Sequence, residues 1–203
     1  LLYGSDVASR VISSKRKNLW VVPSELDLAA AELELSGQDE YLIKLRASLN
    51  SLKSDYGLQV ILIDCPPTLG LLSMNSLCAA DYLVVTLQSE YLAMEGLGQI
   101  TSVVQKLKVA GVNSDLELGG IIMTMYDNRT RLSYEVWQEV NQYYENKVFR
   151  TAIPRNARLS EAPSFGQTVF EYAPDSSGSL AYRAFAREFS KRFLSENNSD
   201  GAN

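Results

Sequence analysis

Four stretches of this chain are nearly unbroken apolar runs: QVILID (Gln59–Asp64), YLVVTLQ (Tyr82–Gln88), LGGIIMTMY (Leu118–Tyr126) and VFRTAIP (Val148–Pro154). A strand with one wet face alternates apolar and polar residues. A run without that alternation is buried on both faces, which calls for a parallel sheet covered by helices on either side. A shorter apolar strand, LWVVPS, is expected at Leu19–Ser24, ended by Pro23.

Helical patterns alternate with these runs. Residues 27–52 are rich in helix formers, with Asp27 as a plausible cap. A short buried helix is predicted over Leu69–Ala80. A long one is predicted over Tyr91–Ala110, with Leu92, Ile100, Val103, Val104 and Leu107 near one face. Another covers Leu132–Asn146, bearing a Val136/Val140/Tyr143 stripe. The last, Ser177–Leu194, bears Leu180, Phe185, Phe189 and Phe193. Strand and helix in alternation predict an α/β fold with a doubly wound, mostly parallel sheet covered by helices on both faces. Residues 1–194 are expected to form a single domain, and 195–203 (SENNSDGAN) a disordered polar tail.

Composition narrows the classes. At 203 residues, 46% hydrophobic, the chain suffices for one well-cored domain. A net charge of -5 argues against a generally basic DNA-coating protein, although a local basic patch remains compatible with it. The chain has no histidine, and its two cysteines, Cys65 and Cys78, lack Cys-x-x-Cys spacing, so a zinc site is not expected. Both cysteines lie in apolar runs and are expected to be buried small residues. A reducing, cytoplasmic setting fits them. No run reaches the ~18–20 apolar residues of a membrane span, and the start does not have the order of a signal peptide. The first residue is Leu1 rather than methionine, as expected of a processed chain or a piece of a longer one.

In a doubly wound sheet, ligands bind beyond the carboxyl ends of the strands. Four clusters fall there: Asp64-Cys65-Pro66-Pro67, Gln88-Ser89-Glu90, Met125-Tyr126-Asp127 and Pro154-Arg155-Asn156. They are expected to converge on one edge of the sheet. A carboxylate after an apolar strand, as at Asp64, suits a water-mediated contact to Mg²⁺, which keeps several of its waters. The same residue also reads as a helix N-cap or turn aspartate. Arg129 and Arg131 lie in one loop, Arg155 and Arg158 in another. Taken singly each loop reads as solvated; together they suggest an anion-binding surface.

Longer motifs carry a resemblance. ILIDCPPTLGLLSMNSL, QSEYLAMEGL, TMYDNRTRLS, KVFRTAIPRNARLSEAPSFGQ and EYAPDSSGSLAYRAFAREF resemble, in order and spacing, the ParA/Soj family of partitioning ATPases. NLWVVPSELDLAAAELEL resembles a further family stretch, so the similarity runs from Asn18 to about Phe193. The resemblance implies a P-loop ATPase that binds ATP with Mg²⁺ and forms a homodimer. It further implies non-specific binding to double-stranded DNA and stimulation of hydrolysis by a ParB/Spo0J-type partner in chromosome or plasmid partitioning. It implies that Asp64 is the catalytic Walker-B aspartate, touching Mg²⁺ through water. Met125, Pro154 and Asn156 become nucleotide-binding positions, and Arg129 and Arg158 DNA-binding ones. The helix opening with Glu90 and Glu95 is implied to lie near the dimer interface. A cytoplasmic, nucleoid-associated protein without a membrane anchor follows. The polar tail argues against the basic amphipathic helix of MinD-type relatives.

One departure stands out. The family's phosphate loop, K-G-G-x-G-K-[ST], has no counterpart, and no G-x-x-x-x-G-K-[ST] run occurs in the 203 residues. The chain is therefore expected to be a family member lacking its N-terminal strand and P-loop, with ATP hydrolysis a property of the intact protein and absent from these residues alone. The alternative is a non-enzymatic, ParA-like interaction module unable to bind ATP.

Overall fold

The computed structural model describes residues 7–24, 28, 32, 34 and 41–194. The Asp27 cap, much of the first half of the predicted helical stretch 27–52 and the 195–203 tail lie outside the described residues. The chain divides into two compact units: Leu1–Asp81 with Val104–Leu116, and Tyr82–Val103 with Glu117–Asn203.

The second unit holds the parallel sheet that the apolar runs predict. Strand β3 (Tyr82–Gln88) pairs in parallel with β4 (Glu117–Thr124). On the other side of β4 the segment 148–154 runs alongside. Phe149 N donates to Ile121 O at 2.9 Å and Ile153 N to Met123 O at 2.8 Å. This third run forms only isolated bridges, at Val148 and Pro154, because Arg150 and Thr151 turn their amides to a side chain instead, Glu188. Alternate residues of β4 face opposite layers. Ile121 and Met123 enter a core with Leu97, Val136 and Val140. Ile122 enters another with Phe149 and Ile153, against which Phe185, Phe189 and Phe193 pack. The fold is α/β, and β4 is covered on both faces.

Helices α3 (Tyr91–Val109), α4 (Arg131–Tyr144) and α7 (Ser177–Phe193) match their predicted spans closely. Their stripes match less well. Val136 and Val140 are buried, but Tyr143 is exposed; Leu92 and Leu180 are exposed too. Leu97, with Ala93 and Met94 beside it, holds the place expected of Leu92. Gly119 and Gly120 are explained by close approach. A Cβ on Gly119 would lie 3.0 Å from the Phe193 ring, and one on Gly120 2.7 Å from Arg192 Nη1 and in collision with Phe149. Arg192 lies 3.9 Å above the Phe149 ring and donates to Gly119 O and Lys147 O.

The first unit contains a short antiparallel pair, β1 (Ile12–Ser13) with β2 (Trp20–Val21), and helices α1 (Lys44–Asp55) and α2 (Leu71–Ala79). The LWVVPS run thus yields a two-residue hairpin arm and not a member of the parallel sheet. Asn113, almost fully buried, donates to Leu77 O (2.8 Å) and Ala80 O (2.9 Å), satisfying carbonyls at the end of α2. The QVILID expectation fails. Residues 60–66 join no strand among the described residues. Val60, Ile61 and Leu62 remain 38%, 37% and 79% exposed. Apolar content makes a strand only where a neighbour supplies backbone partners. Cys65, expected to be buried, is exposed for the same reason; Cys78 is buried. Burial pushes the Cys78 thiol pKa up, against a smaller lowering by Arg46. Among the described residues no helix is long and apolar enough to cross a membrane.

Candidate functional site

Three of the four predicted clusters meet at the carboxyl end of the parallel pair. Ser89 Oγ donates to Thr124 O (3.3 Å) and Thr124 Oγ1 to Leu87 O (3.2 Å), which ties the two strand ends together. The chain then leaves β4 through Met125 at φ 51°, a left-handed conformation that costs a non-glycine residue energy and marks a constrained position. Tyr126 N donates to Ile153 O and Arg155 N to Tyr126 O, both at 3.0 Å. This bridge sets Met125 and Pro154 on adjacent backbone segments, with the Met125 side chain 44% exposed.

The loop beyond Tyr126 is built around Asp127. Its Oδ1 accepts from Arg129 N (3.0 Å) and Arg129 Nε (2.9 Å), and its Oδ2 accepts from Arg129 Nη2 (2.7 Å). Those hydrogen bonds, with the charges of Arg129 and Arg155, hold the Asp127 carboxyl down to about 2, and the hydrogen bond to Asp127 with its negative charge raises the Arg129 pKa. Thr130 caps α4, its hydroxyl accepting from Ser133 N (3.3 Å).

The second arginine loop has the same construction. Asn156 caps the short helix α5 (Ala157–Glu161): its Oδ1 accepts from Arg158 N (2.8 Å), while Nδ2 donates to Ser177 Oγ (2.7 Å). The Asn156 side chain thereby positions the loop against the start of α7. Arg158 Nη1 donates to Glu161 Oε2 (2.6 Å), which also accepts from the Tyr172 hydroxyl (3.1 Å). Tyr172 belongs to helix α6 (Val169–Tyr172) and stacks on Phe165, ring centroids 5.0 Å apart. The hydrogen bonds from Arg158 and Tyr172 lower the Glu161 pKa, and the pairing raises that of Arg158.

The fourth cluster belongs to the first unit. Asp64 is exposed. It precedes α2 by several residues and the N-cap is Gly70, so the helix-cap reading of Asp64 is excluded. The turn after it is anchored by Ser73 Oγ, which donates to Pro66 O and Thr68 O. Glu32 accepts from Leu72 N (3.2 Å) at the start of α2. An exposed carboxylate with no ion pair among the described residues fits a water-mediated role toward Mg²⁺. No cluster of three or more ligating side chains exists among the described residues.

Asp127 is placed at a strand end by the sequence but without a role, and Glu161 and Tyr172 are not singled out. Their signals were present as spacing: Asp-x-Arg at 127–129, which suits an Asx-type turn, and Arg-x-x-Glu at 158–161, one helical turn apart.

The covered parallel pair and its loop-built end define the class, an α/β fold with its candidate site at the carboxyl ends of the strands. A family model described as an AAA domain matches residues 1–118, more than half of the chain. The chromosome partitioning protein ParA of Myxococcus xanthus is 45% identical over 192 residues, which cover 95% of this chain and 67% of that protein. The sporulation initiation inhibitor protein Soj of Bacillus subtilis is 42% identical over 188 residues, 93% of this chain and 73% of that protein. Among solved structures, a protein from Mycobacterium smegmatis described as cobyrinic acid a,c-diamide synthase, with bound ADP and magnesium, superposes with a TM-score of 0.77. It shares 31% identity, covering 96% of this chain and 70% of that one. The chain belongs to the ParA/Soj family of partitioning ATPases.

Proposed function

We propose that this protein serves in chromosome or plasmid partitioning as a nucleotide-controlled, DNA-binding switch. ATP with Mg²⁺ drives homodimerisation, the dimer binds duplex DNA without sequence preference, and a ParB/Spo0J-type partner stimulates hydrolysis. Arg129 and Arg158 contact phosphates, Met125 and Pro154 flank the base, and Asp64 orients a magnesium-bound water. Mg²⁺, when bound, spreads the charge that builds on the transferring phosphoryl group. Asn156 acts indirectly, by fixing the Arg158 loop. Exposed Tyr91 and Leu92 at the start of α3 suit the dimer interface. The cell compartment in this reading is the cytoplasm, on the nucleoid.

The observation that carries the DNA reading is the pair of arginine loops. Arg129 and Arg158 have side chains 83% and 55% exposed, each on a loop fixed by its own cap. Arg129→Glu and Arg158→Glu should each weaken binding to any duplex about equally. Each should flatten the log-log salt dependence by roughly 0.9 per lost phosphate contact. Unchanged affinity in both variants at two salt concentrations overturns the assignment.

A second reading, an interaction module that does not hold ATP, is favoured by one sequence fact: no G-x-x-x-x-G-K-[ST] run lies within the 203 residues. Calorimetric titration of this chain with Mg-ATP separates the two. Heat of binding in the micromolar range means that another loop here cradles the phosphates.

A further inference from the structure

Both arginines assigned to DNA already face a carboxylate. Asp127 grips Arg129 side-on, with both carboxylate oxygens on the Nε/Nη2 edge of the guanidinium, at 2.9 and 2.7 Å. That edge offers the fork that a phosphate takes. Asp127 is only 19% exposed, whereas Arg129 is 83% exposed. The carboxylate is thus a fixed part of the loop, also held by the Arg129 amide. Glu161 is fixed in its turn by the Tyr172 hydroxyl while it holds Arg158. Arg131 makes a useful contrast. Its pair with Glu135 is a single 2.6 Å contact one helical turn away, with both side chains exposed, at 90% and 51%. Such a pair is worth little in water. The Arg158–Glu161 pair is also a single 2.6 Å contact, between side chains 55% and 40% exposed, and differs in that the Tyr172 hydroxyl fixes its carboxylate.

We propose that Asp127 and Glu161 are built-in competitors for phosphate: Asp127 fills the edge of Arg129 that a DNA phosphate must take, and Glu161 holds a fixed negative charge against Nη1 of Arg158, which together keep the resting affinity for DNA low. This rests on the DNA-binding reading of Arg129 and Arg158. A carboxylate and a phosphate cannot both take the same N–H edge, and a carboxylate left beside a bound phosphate repels it. Binding then depends on releasing Arg129 and on bringing a phosphate to Arg158 beside the Glu161 charge. Contact is then favoured where many phosphates are presented together, as on long duplex DNA.

Neutral isosteres test the clamp while preserving its scaffold. Asp127→Asn keeps an oxygen for the Arg129 amide, and Glu161→Gln keeps one for Tyr172. Glu135→Gln removes the same charge nearby without freeing a clamped edge, and so measures the generic effect of charge. Fluorescence anisotropy with a labelled random-sequence duplex, at two salt concentrations and with Mg-ATP present, gives the affinities of the full chain and its variants. Asp127→Asn and Glu161→Gln should each tighten binding by roughly three- to tenfold, and Glu135→Gln by less than about twofold. Equal gains from all three reduce the effect to net charge and overturn the proposal. So does an unchanged or weakened affinity in the two clamp variants while Arg129→Glu and Arg158→Glu still lose binding; in that case the DNA reading stands alone. If the arginine variants bind as the parent does, or no variant binds, the DNA reading fails and the clamp fails with it. The arginine Nε–Hε resonances give an independent check without DNA. The Arg129 signal should be protected from solvent exchange in the parent and lose that protection in Asp127→Asn. Fast exchange in both means that the ion pair does not persist in solution, which overturns the proposal whatever the DNA result.

Discussion

Ile121 and Leu62 sit in runs of similar composition, GGIIMT and VILIDC, yet Ile121 is wholly buried and Leu62 is 79% exposed. Around Ile121 every requirement of a doubly buried strand is met. β3 pairs on one side, and Phe149 donates a hydrogen bond to the Ile121 carbonyl from the other. Helices α3 and α4 cover one face, and the phenylalanines of α7 the opposite one. Around Leu62 no ladder forms among the described residues. An apolar run is therefore a demand for neighbours, and its burial is decided by what other segments supply.

The largest expected effect lies where that demand is met most fully. Phe149 has no exposed surface; it meets Phe185 edge-on at 4.9 Å, and Arg192 lies over its ring. Phe149→Ala removes the ring from between β4 and α7 and leaves a cavity beside Gly120. The cost should be about 3–5 kcal/mol by urea unfolding. A loss under about 1 kcal/mol would mean that the second unit is no better packed than the exposed run of the first.

The part of the fold legible in the sequence follows the same division. Helices α4 and α7 and strands β3 and β4 were readable because each carries its own periodicity and packs within one unit; α3 was readable from periodicity alone, since the unit boundary falls between its Val103 and Val104. QVILID was misread because its pattern does not reveal whether partners exist. Tyr143 and Leu180 were misassigned because a helical stripe is wider than the surface that covers it. In the site, the loops after β4 and after the 148–154 run were located by the strand-end rule. Their chemistry was not, because the carboxylates that hold Arg129 and Arg158 are local partners which the family pattern did not flag. Asn156 carries a structural part that the family pattern does not state: it caps α5 through Oδ1 and ties the loop to Ser177 through Nδ2.

A smaller effect probes how the 148–154 run is held beside β4. Glu188 accepts from Arg150 N (2.8 Å), Thr151 N (3.1 Å) and Thr151 Oγ1 (3.0 Å). Partial burial pushes its pKa up, but these hydrogen bonds and the nearby Arg192 outweigh that, and the net pKa is lowered. A carboxyl depressed in the folded state contributes stability that is fully present above its unfolded pKa of about 4.3. That contribution is lost as pH falls through the folded value. Glu188→Gln should therefore cost about 1–2 kcal/mol at pH 7, and parent and variant should converge in stability as the pH is lowered below about 4. A gap that stays constant down to pH 3 would make the contact one of shape alone.

The smallest expected effect is the most direct test of the contrast. Leu62→Ser removes an apolar side chain that is 79% exposed and has no ladder to support. Substitutions at such positions ordinarily change stability by no more than about 0.5 kcal/mol. The unfolding midpoint of the variant should match that of the parent, and its tendency to self-associate should fall, since an uncovered apolar run is a site for edge-to-edge pairing. Light scattering across a concentration series, beside urea unfolding, reads both. A cost above about 2 kcal/mol, the size expected for a side chain withdrawn from water, would place Leu62 inside a covered strand in solution. The run would then have found the neighbours that Ile121 has, and if the cost grew with protein concentration, a second copy of the chain would be supplying them.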